Sequence, residues 1–187
     1  MTTWMVLRTS GFLVLGLLTI AVALGIAGPG IRNPRLRLTS IALHRTAAVT
    51  GTLLLLAHVT AAVLDSWVSV SLPAVFVPGL SQWEPLWIGL GALAFDAVLI
   101  LALTSAVRRR YAVAWWNIHV ISYVAYALAW LHAVGAGSDV SGPIMRWLAI
   151  GSAAAVAAGA AVRVLARGAT VGVGLQHDRT ELVEVGR

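Results

Sequence analysis

Five long apolar runs organise the chain, at residues 10–27, 43–64, 86–107, 112–134 and 147–165. Each approaches the roughly 20 residues that a helix needs to cross the hydrocarbon layer of a bilayer. Breakers fall between them. Gly28, Pro29 and Gly30 close the first run, Pro73, Pro78 and Pro85 precede the third, and Gly135, Gly137, Gly142 and Pro143 follow the fourth. The pattern predicts an all-α integral membrane bundle of five transmembrane helices over residues 1–167, with a polar, flexible cytoplasmic tail at 168–187. The connection 65–85 mixes apolar and polar positions and is expected to lie as a short helix on the outer surface.

Composition sharpens this picture. Hydrophobic residues make up 59% and charged residues 11%, against about 25% charged in a soluble domain, so lipid is the solvent. The absence of cysteine excludes disulfides, iron–sulfur clusters, thiolate zinc sites and the thioether attachment of c-type heme. The net charge is +6 and all 13 basic residues are arginine. Because these arginines sit between apolar runs, they point to membrane topology rather than nucleic acid. Arginine without lysine, amid abundant Ala, Gly and Val, fits the coding bias of a GC-rich bacterium, and a multi-pass plasma-membrane protein is expected.

Arginine distribution predicts direction. Arg32, Arg35, Arg37, Arg45, Arg108, Arg109, Arg110, Arg163, Arg167, Arg179 and Arg187 fall on one side, and Arg8 and Arg146 on the other. Cytoplasmic loops carry the excess of Lys and Arg, so the N-terminus is expected outside and the C-terminus in the cytoplasm. Trp4, Trp67, Trp83, Trp87, Trp130 and Trp147 then mark the outer interface, and Trp115 and Trp116 the inner one.

The candidate chemistry lies in four histidines. An ionisable side chain within a membrane is costly and marks function by default. His44 and His58 stand fourteen residues apart in the second span, His119 and His132 thirteen apart in the fourth. At about 1.5 Å per residue these spacings cover roughly 20 Å in both helices. Both spans run inside to outside, so the histidines form one pair per leaflet. Neutral imidazole is the commonest metal ligand, and a flat porphyrin gripped by one imidazole from each helix satisfies all four. Zinc or copper is less apt, because the two levels are too far apart to share one ion and no carboxylate cluster joins them. Fourteen residues return a helix to within about 40° of its starting face, but thirteen leave about 140°. The fourth span must therefore be distorted locally, or its two sites are approached from different sides. His177 is expected at the surface of the tail.

Other positions carry two readings. Gly51, midway between His44 and His58, either lets porphyrin edges approach or packs helices. Arg45 and Arg8 are candidates for pairing with heme propionates, whereas Arg35, Arg37 and the 108–110 cluster chiefly set topology. Asp96, mid-span, is either a proton relay or quinol group, or a hydrogen-bonded structural residue. Tyr123, Tyr126, Trp116 and Trp130 share the fourth span with two histidines and are read mainly as packing. Gly151, Ser152, Ala155 and Gly159 have the spacing of close helix contact.

These residues resemble the ferric reductase-like transmembrane domain, the heme-binding core of ferric reductases, NADPH oxidases and the methionine sulfoxide reductase heme subunit. The resemblance spans residues 4–165. It rests on Arg8-Thr9-Ser10-Gly11, Leu43-His44-Arg45, Ala57-His58-Val59, Pro85-Leu86-Trp87, the arginines at 108–110, the run from Ile118-His119 to Tyr123, and Leu131-His132 followed by Ala136-Gly137-Ser138-Asp139. It implies two b hemes, with His44 and His119 on the inner iron and His58 and His132 on the outer. It also implies electron flow outward across the membrane. Larger members carry a flavin- and nicotinamide-binding domain, and no such site is expected here, since no glycine-rich dinucleotide fingerprint is found. The donor is then a separate flavoprotein or membrane quinol, and the acceptor an extracytoplasmic partner such as a flavin-binding protein. Competing readings are a terminal ferric or oxygen reductase acting at the outer heme, and a non-redox transporter whose histidines bind protons or metal.

Overall fold

A computed structural model describes residues 2–136 and 142–185, with side chains described for 3–136 and 142–168. The elements are α1 (Thr2–Ala27), α2 (Pro34–Leu64), α3 (Leu72–Phe76), α4 (Pro85–Ala106), α5 (Ala112–His119), α6 (Ile121–Gly135) and α7 (Pro143–Val185). No strand occurs among the described residues. Five helical stretches are long and apolar enough to cross a membrane: Thr3–Gly30, Pro34–Leu64, Pro85–Ala106, Ala112–Gly135 and Pro143–Gly168. The protein is an all-helical, multi-pass membrane protein.

Local chemistry sets the boundaries. α2 begins well before its apolar run because Asn33 caps it, accepting from the Arg35 and Leu36 amides at 3.0 and 3.4 Å, with Pro34 in the first helical turn. It ends at Asp65, whose Oδ1 accepts from the amides of Trp67 (2.9 Å) and Val68 (3.1 Å). The fourth span is two helices, broken at Val120, where the Tyr123 amide bonds back to the Val120 carbonyl at 3.2 Å. A local distortion is one of the two outcomes expected from the thirteen-residue histidine spacing. α7 continues as helix through the polar segment to Val185; His177 lies outside the residues whose side chains are described, as do Gly137, Ser138 and Asp139.

The connection between α2 and α4 carries the expected short helix, α3, and most of it is exposed. Its apolar face packs inward, where Val70, Ala74 and Val75 form a buried cluster with Phe95 of α4, packed against Leu55, Val59 and Ile88. The Phe76 and Phe95 rings lie 5.8 Å apart. The apolar residues of this segment outweigh its prolines and serines because they cover an apolar cavity that the long helices leave open.

α1 is the hub, packing on α2, α6 and α7, while α6 packs mainly on α4. α2 has little direct backbone contact with α5 or α6; His44 and His58 are on α2, His119 on α5 and His132 on α6. α1 and α2 run antiparallel in a seven-residue rhythm, with Gly11 against His58, Leu17 and Leu18 against Gly51, and Gly25 against His44. Small residues alternate with large ones across this seam, as in a heptad packing. On the other side of α1, Gly159 of α7 is so close that an added Cβ would sit 2.6 Å from the Ala23 carbonyl. Ser152 is buried and accepts from the Trp130 indole N–H at 3.0 Å, tying α7 to α6. Gly151 faces open space.

Candidate heme site

Three of the four histidines are fixed through Nδ1. His44 Nδ1 donates to the Ala21 carbonyl at 2.7 Å, His58 Nδ1 to the Leu7 carbonyl at 3.0 Å, and His132 Nδ1 to the Trp87 carbonyl at 2.8 Å. The Ser10 hydroxyl oxygen lies 3.2 Å from the same nitrogen of His58. A carbonyl can only accept, so each of these Nδ1 atoms carries the proton and each Nε2 keeps its lone pair. No Nε2 of the four histidines has a hydrogen-bond partner among the described residues.

The fourth histidine is held differently. His119 stacks on the Trp115 indole at 4.7 Å and 28°, and that indole is anchored by its N–H to the Ser105 hydroxyl at 3.1 Å. The His119 Nδ1 is buried without a partner among the described residues. Its position follows from the break at Val120, which ends α5 at His119.

The pairs face one another. The His44 and His119 ring centroids are 6.2 Å apart with planes at 78°. Two imidazoles on opposite sides of one metal, each bonded at about 2 Å, place their centroids roughly 6.3 Å apart. His58 and His132 line one cavity, together with Arg8, Gly11, Gly91 and Phe95. It holds about 1490 Å³ of atom-free space including its open mouth, and its walls are overwhelmingly apolar. Among the described residues no group of three or more His, Asp or Glu forms a cluster able to hold a metal ion. Paired, uncommitted Nε2 atoms beside an apolar slot fit a planar metallocycle that brings its own equatorial donors.

The remaining sequence candidates fall as follows. Arg8 lines the His58–His132 cavity, and its guanidinium lies 5.0 Å from the Trp4 ring and 5.9 Å from the Phe12 ring. Arg45 is exposed beside His44. Gly51 is buried against α1, where an added Cβ would meet Leu17 at 3.3 Å, and it does not line the cavity. Its surroundings are those of a packing glycine. Asp96 is half-buried in α4, with no Ser or Thr bonded to it among the described residues. Tyr126 meets the Thr19 hydroxyl of α1 at 3.0 Å, a contact between helices. The sequence reading missed Gly11, Gly25 and Gly91, which abut the histidine rings. A signal was present, because Gly11 and Gly25 repeat the fourteen-residue spacing of His58 and His44.

Residues 10–130 match the family described as ferric reductase like transmembrane component. No curated protein and no solved structure gives a significant match. The match covers well over half of the chain and takes in His44, His58 and His119; with five spans around paired histidines, the chain belongs to the ferric reductase-like transmembrane family.

Proposed function

We propose that this protein carries electrons across a bacterial plasma membrane through two bis-histidine b-type hemes. His44 and His119 hold one, at the arginine-rich cytoplasmic end, and His58 and His132 hold the other, at the outer end. The observation that carries this reading is two histidine pairs about 20 Å apart along parallel helices, with His44, His58 and His132 bonded through Nδ1 so that their Nε2 lone pairs have no partner among the described residues. Family membership supports it, since ferric reductase-like domains generally bind heme.

Bound heme supplies one-electron chemistry. The chain positions and insulates. With two histidines holding each iron, no ligand position would be left for a substrate, which would then be reduced from outside. The apolar cavity walls and the inward-packed face of the α2–α4 connection exclude water. Arg8 and Arg45 provide cations for propionates. The donor is a cytoplasmic flavoprotein or a membrane quinol, and the acceptor is an extracytoplasmic partner. The family description itself favours a second reading, direct reduction of ferric iron at the outer heme.

The deciding experiment is an absorption spectrum of the purified protein, oxidised and dithionite-reduced, with heme quantified per chain. Two b hemes per chain support the proposal, and colourless protein expressed with ample heme refutes it. Reduction of chelated iron without a partner protein would select the second reading.

A further inference from the structure

The three carbonyls that fix His44, His58 and His132 share one local design. Ala21 lies four residues before Gly25, Leu7 four before Gly11, and Trp87 four before Gly91. In an α-helix the carbonyl of residue i−4 accepts the amide of residue i, and the Cβ of residue i stands over that same turn. Without that Cβ, the carbonyl's second lone pair is open to a side chain from a neighbouring helix. The imidazoles fill the opening. An added Cβ would lie 3.1 Å from His58 Cε1 at Gly11, 3.2 Å from His44 Cε1 at Gly25, and 2.7 Å from His132 Nδ1 at Gly91.

We propose that Gly11, Gly25 and Gly91 are positioning residues for the heme ligands, each baring the carbonyl that orients one imidazole and sets the donor strength of its Nε2. The inference rests on the heme reading above. An Nδ1–H bonded to a carbonyl makes the ring a stronger donor, which favours ferric over ferrous iron and lowers the midpoint potential. His119 has no such bond, so the two centres are inequivalent, with two carbonyl-held ligands at His58–His132 and one at His44–His119.

The test uses the full chain, purified with heme, carrying Gly11→Ala, Gly25→Ala, Gly91→Ala or the control Gly16→Ala, which has nothing within 4 Å of an added Cβ. Heme per chain, optical redox titration and low-temperature electron paramagnetic resonance of the ferric state are compared. The wave that survives in His44→Ala identifies the His58–His132 centre. Gly11→Ala and Gly91→Ala are expected to move that wave to higher potential and alter its ferric signal, with the larger effect at Gly91. Gly25→Ala is expected to move only the other wave, and Gly16→Ala neither. If Gly91→Ala does not accumulate, the milder overlaps at Gly11 and Gly25 decide. Unchanged potentials and signals in those two variants would overturn the proposal while leaving the heme reading intact. Wild-type protein without heme would overturn both.

Discussion

The imidazoles of His44 and His119 come from helices with little backbone contact, yet their centroids are 6.2 Å apart and their planes are 78° from parallel. Each ring is positioned from behind by a different device: His44 by the Ala21 carbonyl, His119 by the stacked indole of Trp115. The pair therefore separates two ways of orienting one kind of ligand.

That difference predicts a dependence on Trp115. Trp115→Leu should keep all four histidines and still weaken heme binding at the His44–His119 centre by about 10-fold, the lower range for loss of a ligand-orienting neighbour. Heme per chain after dilution, compared with His119→Ala and His132→Ala, measures it. Equal loss from both centres would contradict the assignment.

Arg8 lies over Trp4 and Phe12 at the wall of the His58–His132 cavity. Arg8→Leu should cost about 1.5–3 kcal/mol of heme affinity there, the scale of a hydrogen bond to a charged group. It should also lower that centre's midpoint potential, since a cation beside the heme favours the reduced form. A redox titration of the variant checks the sign.

Asp65 closes α2 from a buried position, 2% exposed. The amides of Val68 and Trp67 hold its carboxyl below the ordinary carboxylate range. Its charged form is favoured in the folded state, so its contribution is present at neutral pH and is lost as pH falls through that depressed value. Thermal unfolding in detergent from pH 7 to acid should therefore show an acid-side loss in wild-type protein that Asp65→Asn reduces. An identical pH profile in the variant would remove Asp65 from this role.

Gly159 and Gly151 differ in what a side chain would meet. Gly159→Val drives a Cβ toward the Ala23 carbonyl and should destabilise the bundle by about 1–3 kcal/mol, as overpacking does. Gly151→Val enters open space and should be close to neutral. Unfolding of both variants in the same detergent gives the comparison.

Much of this was legible from residue order. Apolar run length marks five spans because lipid tolerates few polar groups, and the matched spacing of His44–His58 and His119–His132 places histidines at two levels because helical rise is fixed. The thirteen-residue spacing left a distorted span or two sides of approach open, and the structure divides the fourth span at Val120. The packing of Val70, Ala74 and Val75 on Phe95 was not legible, because whether they meet lipid or protein depends on a cavity formed by helices distant in sequence.

The sequence by itself determined the solvent and the number of crossings, and it singled out four histidines at two matched levels, all of which follow from local hydropathy and helix periodicity. Tertiary structure alone decided which nitrogen of His44, His58 and His132 stays uncommitted. It also assigned Gly51 to the α1 contact and Gly11, Gly25 and Gly91 to the histidines. The reason is physical: a carbonyl already bonded within its own helix accepts a second partner only where a neighbouring helix arrives in register and no side chain stands in the way.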